Sequence, residues 1–541
     1  MPVAGLRACP GGLLPREAHR GRSAGLPSPG KKGTPEIIFM PTHSPLIFPP
    51  ILDSVRGLLP GGQSVYLVGG AVRDLLLGRP VHDLDFTVER NAIKLARRVA
   101  DKLHADFYAL DPERDTGRVI LTVEDGKRTL MDFAAFRGAD LEVDLLGRDF
   151  TLNAIALDLA DNTIHDPLGG ALDLKNKLLR SCSPSTFSDD PVRILRGVRF
   201  AANFGFHILP DTRKAMKVAT ALLGGVSPER LRDELFRILD GSQPAACLRA
   251  IDLLGALDGV LPELSSLKGV EQPPPHIHDA WEHTLQGVGW LETILTALAP
   301  TFDPETAGDL FTGLLVMRLG RFREQLGKAL ATPLTSDRSM RSLLFFATLY
   351  HDVAKPQTGK LDDEGHLRFW DHDQQGAEIA ARRGRLLALS NDETQCLETI
   401  IQNHMRILFH TNRLINEQKP PSRRAVYRFF RDNGAAGVEV CLLALADLRA
   451  TYEETLPQET WVACLDVVRT LLENWYEKPA ETIAPPSLLD GYDLMREFGL
   501  QPGRQVGELL EAIREAQAMA EVSTPAQALE LARERLSRAR D

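Results

Sequence analysis

Residues 66–88 read Tyr-Leu-Val-Gly-Gly-Ala-Val-Arg-Asp-Leu-Leu-Leu-Gly-Arg-Pro-Val-His-Asp-Leu-Asp-Phe-Thr-Val. The apolar run Val65–Val68 predicts a strand, and Ala71–Leu77 has the spacing of a helix. Gly69 and Gly70 lie between them, where the absence of a Cβ lets a ligand approach the backbone closely. The free N–H groups and the dipole of the helix would face the same point, so we expect a phosphate-binding turn here.

Two aspartates, Asp83 and Asp85, begin the next predicted strand. Because side chains two residues apart on a strand share a face, both carboxylates would point to one place. Carboxylate oxygens on a rigid face are suitable ligands for Mg²⁺. A glycine pair or an Asp-x-Asp pair alone is usually a turn or a solvated loop. The two together predict a magnesium-dependent site for a triphosphate.

Strands and helices alternate around this segment and then give way to helices. Residues 46–175 are therefore predicted to form an α/β head, and the Leu/Ala/Arg periodicity from about residue 176 predicts a helical remainder. Proline-rich stretches mark boundaries at residues 272–275 and 479–486. Within the head we predict strands at Val65–Val68, Asp85–Val88, Arg118–Val123 and Thr129–Phe133, and a helix at Ala92–Leu103.

Composition limits the classes of function. The formal net charge of −10 over 541 residues gives no support to general nucleic-acid affinity, so any RNA would have to meet a local basic surface. Residues 172–250 are one candidate, with thirteen basic and eight acidic residues. The six cysteines are scattered without a CxxC pair, which is typical of a reduced, cytoplasmic protein. No apolar stretch is long enough to span a membrane.

The first 45 residues are rich in Pro, Gly, Arg and Ser and show no periodicity, which predicts disorder. Their arginine content is also faintly similar to that of a transit peptide. A simpler alternative is that translation starts at Met40.

Three further features accompany the first motif. Asp132 lies in the predicted strand Thr129–Phe133, and residues 147–154 read Gly-Arg-Asp-Phe-Thr-Leu-Asn-Ala. The second of these stretches is also consistent with a helix start capped by Asp149 or Thr151. Residues 188–200 read Ser-Asp-Asp-Pro-Val-Arg-Ile-Leu-Arg-Gly-Val-Arg-Phe. Proline suits the first turn of a helix with an aspartate cap before it. The arginines recur every three residues and would repel one another unless they are solvated or face an anion.

Together these motifs resemble the class II nucleotidyltransferases, the family of bacterial CCA-adding enzymes and poly(A) polymerases. The resemblance implies that Asp83 and Asp85 hold Mg²⁺. It implies that Asp132, where the family often has Glu, orients or activates the attacking RNA 3′-hydroxyl. It also implies a set of nucleotide-binding residues. These are Gly69, Gly70, Arg73, Arg148, Asp149, Asn153, Asp190, Arg193, Arg196 and Arg199.

Asp190 and Arg193 could select the base. An ionised carboxylate only accepts hydrogen bonds and a guanidinium only donates them. Cytosine and adenine each present a donor beside an acceptor, whereas guanine and uracil reverse that order. One Asp–Arg pair could therefore accept C and A and leave G and U with unpaired polar groups. In the family this pair serves as a protein template.

A second set of ligands follows Gln272, where the sequence resembles an HD domain with the order His, His-Asp, His, His, Asp. The resemblance implies a divalent transition metal whose bound water could attack a phosphoester. The alternative is a metal site that only holds helices together. The implied ligands are His283, His351, Asp352, His372, His404 and Asp447. Residues 422–431 mix cations and aromatics as RNA-binding surfaces do, but equally fit an amphipathic helix with a solvated basic face.

The predicted fold class is α+β, an N-terminal α/β head followed by an all-helical neck, HD domain and tail. The expected segments are a disordered extension (1–45), a nucleotidyltransferase head (46–175), a helical RNA-binding neck (176–262), an HD domain (263–460) and a C-terminal helical tail (461–541). The tail resembles the segment with which the family engages the body of tRNA.

The resemblance implies template-independent addition of C and/or A to the 3′ end of tRNA from CTP and ATP, with release of pyrophosphate. Only residues 138–147 separate Arg137 from Arg148. Complete CCA-adding enzymes usually have a longer, flexible connection there, so addition of CC alone or A alone remains open. Two alternatives are a poly(A) polymerase that adds AMP to RNA, and an HD phosphohydrolase whose head only binds RNA.

Overall fold

The computed structural model describes residues 48–60, 63–81, 83–122, 128–303, 305, 307–335 and 338–538. The predicted disordered extension at 1–45 and the alternative start at Met40 lie outside the described residues. None of the helices in these ranges is both long and apolar enough to cross a membrane.

The head is built on a seven-stranded mixed sheet with the order β3-β4-β5-β2-β1-β6-β7. Its elements are α1 (Pro50–Leu58), β1 (Val65–Val68), α2 (Gly70–Leu76), β2 (Asp83–Val88), α3 (Ala92–Leu103), β3 (Asp106–Asp111), β4 (Thr116–Thr122), β5 (Arg128–Ala135), α4 (Leu141–Leu146), β6 (Ala156–Asp158), β7 (Ile164–His165) and α5 (Gly170–Lys175). Strand β2 runs antiparallel to β1 and parallel to β5, which places it at the centre of the sheet.

The predicted strands and helices of the head are all present, with ends that differ by a few residues; Val123, the predicted end of the third strand, lies outside the described residues. The sequence did not indicate β3, because this edge strand is mostly exposed and lacks the alternation of a half-buried strand. Phe86 of β2 and Phe133 of β5 stack at 4.6 Å within the core of the head.

The remainder is helical, interrupted by short two-stranded sheets that the sequence did not indicate. The α+β class predicted for the chain is confirmed. The helices from the neck to α16 are α6 (Thr186–Asp189), α7 (Arg193–Phe204), α8 (Pro210–Ala219), α9 (Pro228–Leu239), α10 (Pro244–Leu254), α11 (Leu257–Val260), α12 (Ala280–Ala297), α13 (Leu310–Leu319), α14 (Arg323–Leu330), α15 (Met340–Tyr350) and α16 (Lys355–Thr358).

The later helices are α17 (His372–Leu386), α18 (Asn391–Asn403), α19 (Met405–Glu417), α20 (Arg423–Asn433), α21 (Gly437–Tyr452), α22 (Gln458–Tyr476), α23 (Pro479–Thr482), α24 (Gly491–Phe498), α25 (Arg504–Ala518) and α26 (Pro525–Arg538). The short strands pair as β8 (Leu178–Leu179) with β9 (His207–Ile208), β10 (Pro333–Thr335) with β11 (Arg338–Ser339), and β12 (Gly359–Leu361) with β13 (Leu367–Phe369).

Buried apolar side chains form separate cores in the head and in the tail. A third core runs without interruption from Phe150 to Leu472, so the neck and the HD region share one apolar interior. The boundary proposed at residue 262 is thus not a break in the core, and the segment limits remain predictions.

Candidate functional site

The carboxylates of the head lie on adjacent strands at the centre of the sheet. Asp85 of β2 is in register with Asp132 of the parallel strand β5. Asp132 is in turn opposite Arg118 of β4, whose Nε and Nη2 each donate to one Asp132 oxygen at 2.8 Å. Asp83 is exposed at the start of β2, and Asp85 is half-buried. The structure therefore brings Asp85 beside Asp132 and fixes the orientation of Asp132 through Arg118.

The surroundings of Asp85 favour a cation. Burial raises the pKa of Asp85, and the nearby charges of Asp132 and Asp83 add to the increase, while Arg148 and Arg118 oppose it. Adjacent carboxylates are the donor set that a hard divalent ion prefers, so these residues fit Mg²⁺. The head carboxylates are spaced more widely than the ligands of the histidine cluster described below. Among the described residues, that cluster contains the groups of three ligand atoms that lie within 4.8 Å of one another.

Gly69 closes the same cleft at the β1–α2 turn. Its φ of 70° lies in the left-handed region, which favours glycine. A Cβ there would stand 3.3 Å from both Asp85 Oδ2 and Arg148 Nη1. Gly70 begins α2 directly after it. The turn therefore places backbone without a side chain next to both the Asp85 carboxylate and the Arg148 guanidinium.

Arg73 of α2 has partners within the protein. It is buried, donates through Nη1 to Asn153 Oδ1 at 2.9 Å, and pairs with Asp74 at 2.9 Å. Its guanidinium also lies 4.7 Å from the ring centroid of Phe204. These contacts join α2 to the segment 147–154 and to α7.

Segment 147–154 is a loop with one 3-10 turn, Thr151–Asn153, and not a capped helix start. The suggestion that Asp149 or Thr151 caps a helix is wrong, because both side chains have other partners. Asp149 accepts hydrogen bonds from Asn153 Nδ2 at 3.0 Å and Arg196 Nε at 2.9 Å. The Thr151 hydroxyl donates to Asp173. Burial would raise the pKa of Asp149, but Arg196 and the bond from Asn153 hold it below its ordinary value.

Segment 188–200 also differs from the predicted helix start. Helix α7 begins at Arg193, and Asp190 is in extended backbone without capping the helix. Asp190 Oδ2 accepts from Arg230 Nη2 at 2.6 Å, whereas Oδ1 is buried without a hydrogen-bond partner in the part of the chain that the structure describes. Arg193 donates to the carbonyl oxygens of Gly147 at 3.0 Å and Thr186 at 3.3 Å. Its Nε lies 3.7 Å from Asp190 Oδ2.

Arg196 and Arg199 share a carboxylate that the sequence analysis missed. Buried Glu234 of α9 accepts from Arg196 Nη1 at 3.2 Å and Arg199 Nε at 3.0 Å. Burial would raise the pKa of Glu234, but Arg199 and Arg196 lower it below its ordinary value. The available signal was a glutamate on the apolar face of α9, three residues after Leu231 and four before Ile238. The negative charges of Glu234 and Asp149 therefore offset the repulsion between these arginines.

Replacing Glu234 with Gln is expected to lower the free energy of unfolding by about 3 kcal/mol, because the half-buried guanidinium of Arg199 loses its carboxylate partner and that of Arg196 keeps only Asp149. The loss should be full at neutral pH and should shrink as the pH falls through the lowered pKa of Glu234, where the parent carboxylate also becomes neutral. Urea unfolding at several pH values measures this. Exposed Asp211→Asn of α8 serves as the control, and an equal loss at every pH would contradict the charge argument.

A second cluster lies in the helical region, where six buried side chains converge. His283 comes from α12, His351 and Asp352 directly follow α15, His372 begins α17, His404 lies between α18 and α19, and Asp447 is on α21. The sequence shows the order of these residues but not how far apart they lie. In the structure each one lies on a helix or at a helix end, and its side chain is buried.

Three of the imidazoles are held in one orientation. The Nδ1 atoms of His351, His372 and His404 lie 2.7, 2.7 and 2.6 Å from the carbonyl oxygen three residues earlier in each case. Because that carbonyl oxygen accepts a hydrogen bond from Nδ1–H, the unprotonated Nε2 is left as the ligand atom.

The ligand atoms face one another. Nε2 of His283 lies 3.1 Å from Asp447 Oδ1, and Nε2 of His351 lies 3.2 Å from Asp352 Oδ2. No hydrogen bond forms at either Nε2 atom among the described residues. Buried carboxylates and imidazoles at contact distance without hydrogen bonds fit a divalent transition metal. They form two sets, His283 with His351 and Asp447, and Asp352 with His372 and His404.

Lys355 is a further residue of this cluster. Its Nζ lies 2.6 Å from Asp352 Oδ2, and its side chain is buried. The sequence signal was its position one helical turn after Asp352. The ammonium would face any anion bound at the cluster.

Comparisons with known proteins agree with this layout. The sequence matches the profiles of the poly A polymerase head domain over residues 65–180, the probable RNA and SrmB-binding site of polymerase A over 205–268, and the HD domain over 314–450. An A-adding tRNA nucleotidyltransferase of Deinococcus radiodurans is 33% identical, over 85% of this chain and 93% of that protein. A CC-adding tRNA nucleotidyltransferase of Geobacter sulfurreducens is 30% identical, over 86% and 91%.

A solved CCA-adding enzyme in complex with CTP has the same fold. It superimposes with a TM-score of 0.57 over 91% of this chain and 96% of that chain, at 22% identity.

Proposed function

Because this chain belongs to the tRNA nucleotidyltransferase family, we propose that it transfers CMP or AMP from CTP or ATP to the 3′ end of tRNA and releases pyrophosphate. The observation that carries the proposal is the convergence of Asp85, Asp132, Gly69 and Arg148 at one point of the head. The similarity to A-adding and CC-adding enzymes over most of the chain supports it.

Each group of the cleft has a role in this proposal. Asp83 and Asp85 would hold Mg²⁺, which when bound would stabilise the attacking and the departing oxygens. Asp132, oriented by Arg118, would position the RNA 3′-hydroxyl. The bare backbone at Gly69 and Gly70 would admit the triphosphate at the start of α2, where N–H groups are free. Arg73, Arg196 and Arg199, which have partners in the protein, would shape the pocket from behind.

Base selection would depend on Asp190 and Arg193. Asp190 Oδ1 is buried without a hydrogen-bond partner among the described residues, and a buried acceptor of this kind is costly unless a ligand supplies a donor. The exocyclic amino groups of cytosine and adenine are such donors. Arg193 lies beside Asp190, and its guanidinium donates to backbone carbonyl oxygens that fix its position. It would therefore present a hydrogen-bond donor to the base in one orientation. Asp149 and Asn153 are joined by a hydrogen bond and would shape the ribose pocket.

Arg193→Ala should reduce the preference for CTP and ATP over UTP and GTP by about tenfold, the cost of one lost hydrogen bond to a charged group. The affinity for tRNA should change little. Single-turnover incorporation of each nucleotide, together with tRNA binding, measures this. Arg98→Ala, an exposed arginine of α3 in the head and outside the basic segment 172–250, is the matched control. An Arg193 variant that still rejects UTP and GTP as strongly as the parent would exclude the protein-template role.

We propose further that only part of the CCA triplet is added. The connection 138–147 contains helix α4, which Asp140 caps at Val143 N with a 3.0 Å hydrogen bond. The buried carboxylate of Asp144 accepts from Arg137 N at 3.1 Å and from Arg148 Nη2 at 2.9 Å. The connection is therefore short and held at both ends, unlike the longer, flexible connection of complete enzymes.

Three tRNA substrates test this proposal, one lacking CCA, one ending after the first C and one ending after CC, each with CTP and ATP separately. Incorporation limited to one stage is expected. Completion of CCA on the first substrate would overturn partial addition. Extension of oligoadenylate in preference to every tRNA would favour the poly(A) polymerase alternative.

The buried cluster supports a second activity, hydrolysis of a phosphoester by the HD domain. Its six ligands would hold a divalent transition metal. When bound, the metal would lower the pKa of a coordinated water, so that hydroxide could attack phosphorus. Lys355, beside Asp352, would attract the phosphate group.

A further inference from the structure

A basic groove lies between α19 and α20, away from both candidate catalytic sites. It has a volume of about 350 Å³. We call it the α19–α20 groove, and the residues that matter in it are Arg406, Phe409, His410, Arg413, Arg424 and Arg428. Its lining, as far as the described residues define it, contains four arginines and no carboxylate.

The groove is separate from the HD cluster. His404 directly precedes α19, but the face of α19 that packs into the protein carries buried Ile407 and Thr411. Phe409 and Arg413 lie on the opposite, exposed face. A ligand in the groove would therefore not contact the buried ligands.

The arginines of the groove pair with carboxylates that lie outside its lining. Glu521 lies 3.6 Å from Arg424 alone, and the other three partner carboxylates are each shared with another cation. Glu515 pairs with both Arg424 and Arg428, at 3.3 and 2.7 Å. In the same way, Asp432 pairs with Arg406 and Arg431, and Glu417 pairs with Arg413 and Lys419. The lining itself therefore presents arginines without a carboxylate, in a chain whose formal net charge is −10.

An aromatic side chain lies within this basic lining. Phe409 is 65% exposed, an unusual state for a phenylalanine, and its ring is 5.5 Å from that of His410 in an edge-to-face arrangement. Successive cations around an exposed ring are the chemistry that binds single-stranded nucleic acid, in which phosphates meet the cations and a base stacks on the ring. An acidic peptide would use the cations but would have less use for the ring.

We propose that the α19–α20 groove binds an unpaired segment of RNA, with its phosphates on Arg413, Arg424 and Arg428 and one base stacked on Phe409. The groove adjoins the tail, since Tyr427 of α20 donates to Glu511 of α25 at 3.0 Å and Arg423 Nε donates to the carbonyl oxygen of Ala518 at 2.8 Å. The RNA would thus lie along the border between the HD region and the tail. The proposed function supplies the choice of tRNA as this RNA.

The test is equilibrium binding of a fluorescent tRNA transcript that lacks CCA, measured by anisotropy across a series of NaCl concentrations without nucleotide. Phe409→Ala should weaken binding about tenfold with the salt slope unchanged, because it removes one stacked base. Arg413→Ala/Arg424→Ala should reduce the slope of log K against log salt by about one to two, because two phosphate contacts are lost.

Matched controls lie outside the groove lining in the same region. Leu361→Ala changes another exposed apolar side chain, and Arg385→Ala changes an exposed arginine that has one carboxylate partner. Both should bind like the parent. All four variants alter exposed side chains, and circular dichroism would check their folding.

If both groove variants bind tRNA with the affinity and the salt slope of the parent, the inference is overturned. A protein would then be the remaining candidate ligand of the groove. A changed slope with a normal Phe409→Ala variant would overturn the stacking contact. These results are independent of turnover. If the parent binds tRNA through the groove but adds no nucleotide, the proposed function fails and the inference stands. If the parent adds nucleotides and the groove variants bind tRNA normally, the inference fails and the proposed function stands.

Discussion

Asp85→Asn is expected to reduce nucleotide addition by about three orders of magnitude, because one charged metal ligand is worth several kcal/mol in the transition state. The substitution keeps the size and shape of the side chain while removing its charge. Asp106→Asn, an exposed carboxylate on the edge strand β3 of the same sheet, is the matched control and should retain activity. Single-turnover incorporation into tRNA at saturating nucleotide measures both.

The same substitution is expected to leave the protein as stable as the parent or more stable. Burial and the nearby Asp132 raise the pKa of Asp85 above its ordinary value, so the ionised form is disfavoured in the folded state. That cost is present at neutral pH and disappears as the pH falls through the raised pKa. The thermal midpoint of Asp85→Asn should therefore equal or exceed that of the parent at neutral pH, with a smaller difference in acid. Near-normal addition by a folded variant would exclude the two-carboxylate site.

His351→Gln together with Asp352→Asn should abolish metal binding at the HD cluster and any phosphohydrolase activity of the parent. Both kinds of ligand are changed at once, and metal affinity depends on all of them. Incorporation of C or A should remain, because the head carboxylates lie at residues 83–132 and the cluster ligands at residues 283–447. The asparagine keeps an acceptor for Lys355, which also donates to Gln272 Oε1.

Metal content by elemental analysis, hydrolysis of bis-p-nitrophenyl phosphate and nucleotide incorporation are the three measurements. They should be made below the thermal midpoint of the variant, because metal binding stabilises the folded state. His366→Gln, an exposed histidine between β12 and β13, is the control. His372→Gln provides a second ligand variant at the edge of the cluster. Retention of metal by the double variant would exclude these ligands, and loss of incorporation in folded protein would show that the two sites are coupled.

The sequence allowed the head to be predicted because its signals are local. A short apolar run, a glycine pair and an Asp-x-Asp pair each occupy a few residues, and the structure places them as β1, the start of α2 and β2. The HD ligands could be named because their order in the sequence resembles that of an HD domain. Strand β3 was missed because it is an exposed edge, where burial leaves no alternating pattern in the sequence.

What could not be predicted depends on partners distant in the chain. Arg118 meets Asp132 only because β4 and β5 pair in one register. Glu234 meets Arg199 only because α9 packs beside α7. The spacing of Asp190 and Pro191 favoured a capped helix, but the bond from Arg230, forty residues later, holds the carboxylate away from the helix start. Tertiary pairing decided the role of each side chain.

The uninterrupted apolar interior from Phe150 to Leu472 has a consequence for how the molecule tolerates change. Phe150 belongs to the loop that carries Arg148 and Asp149, so that loop is anchored in the same interior as the helices around the histidine cluster. A fragment cut after the neck would expose the surface that Trp281 and Leu285 now cover. The neck and the HD region should therefore exchange their protected amide hydrogens in concert. Neither can be removed without exposing part of the shared interior to water.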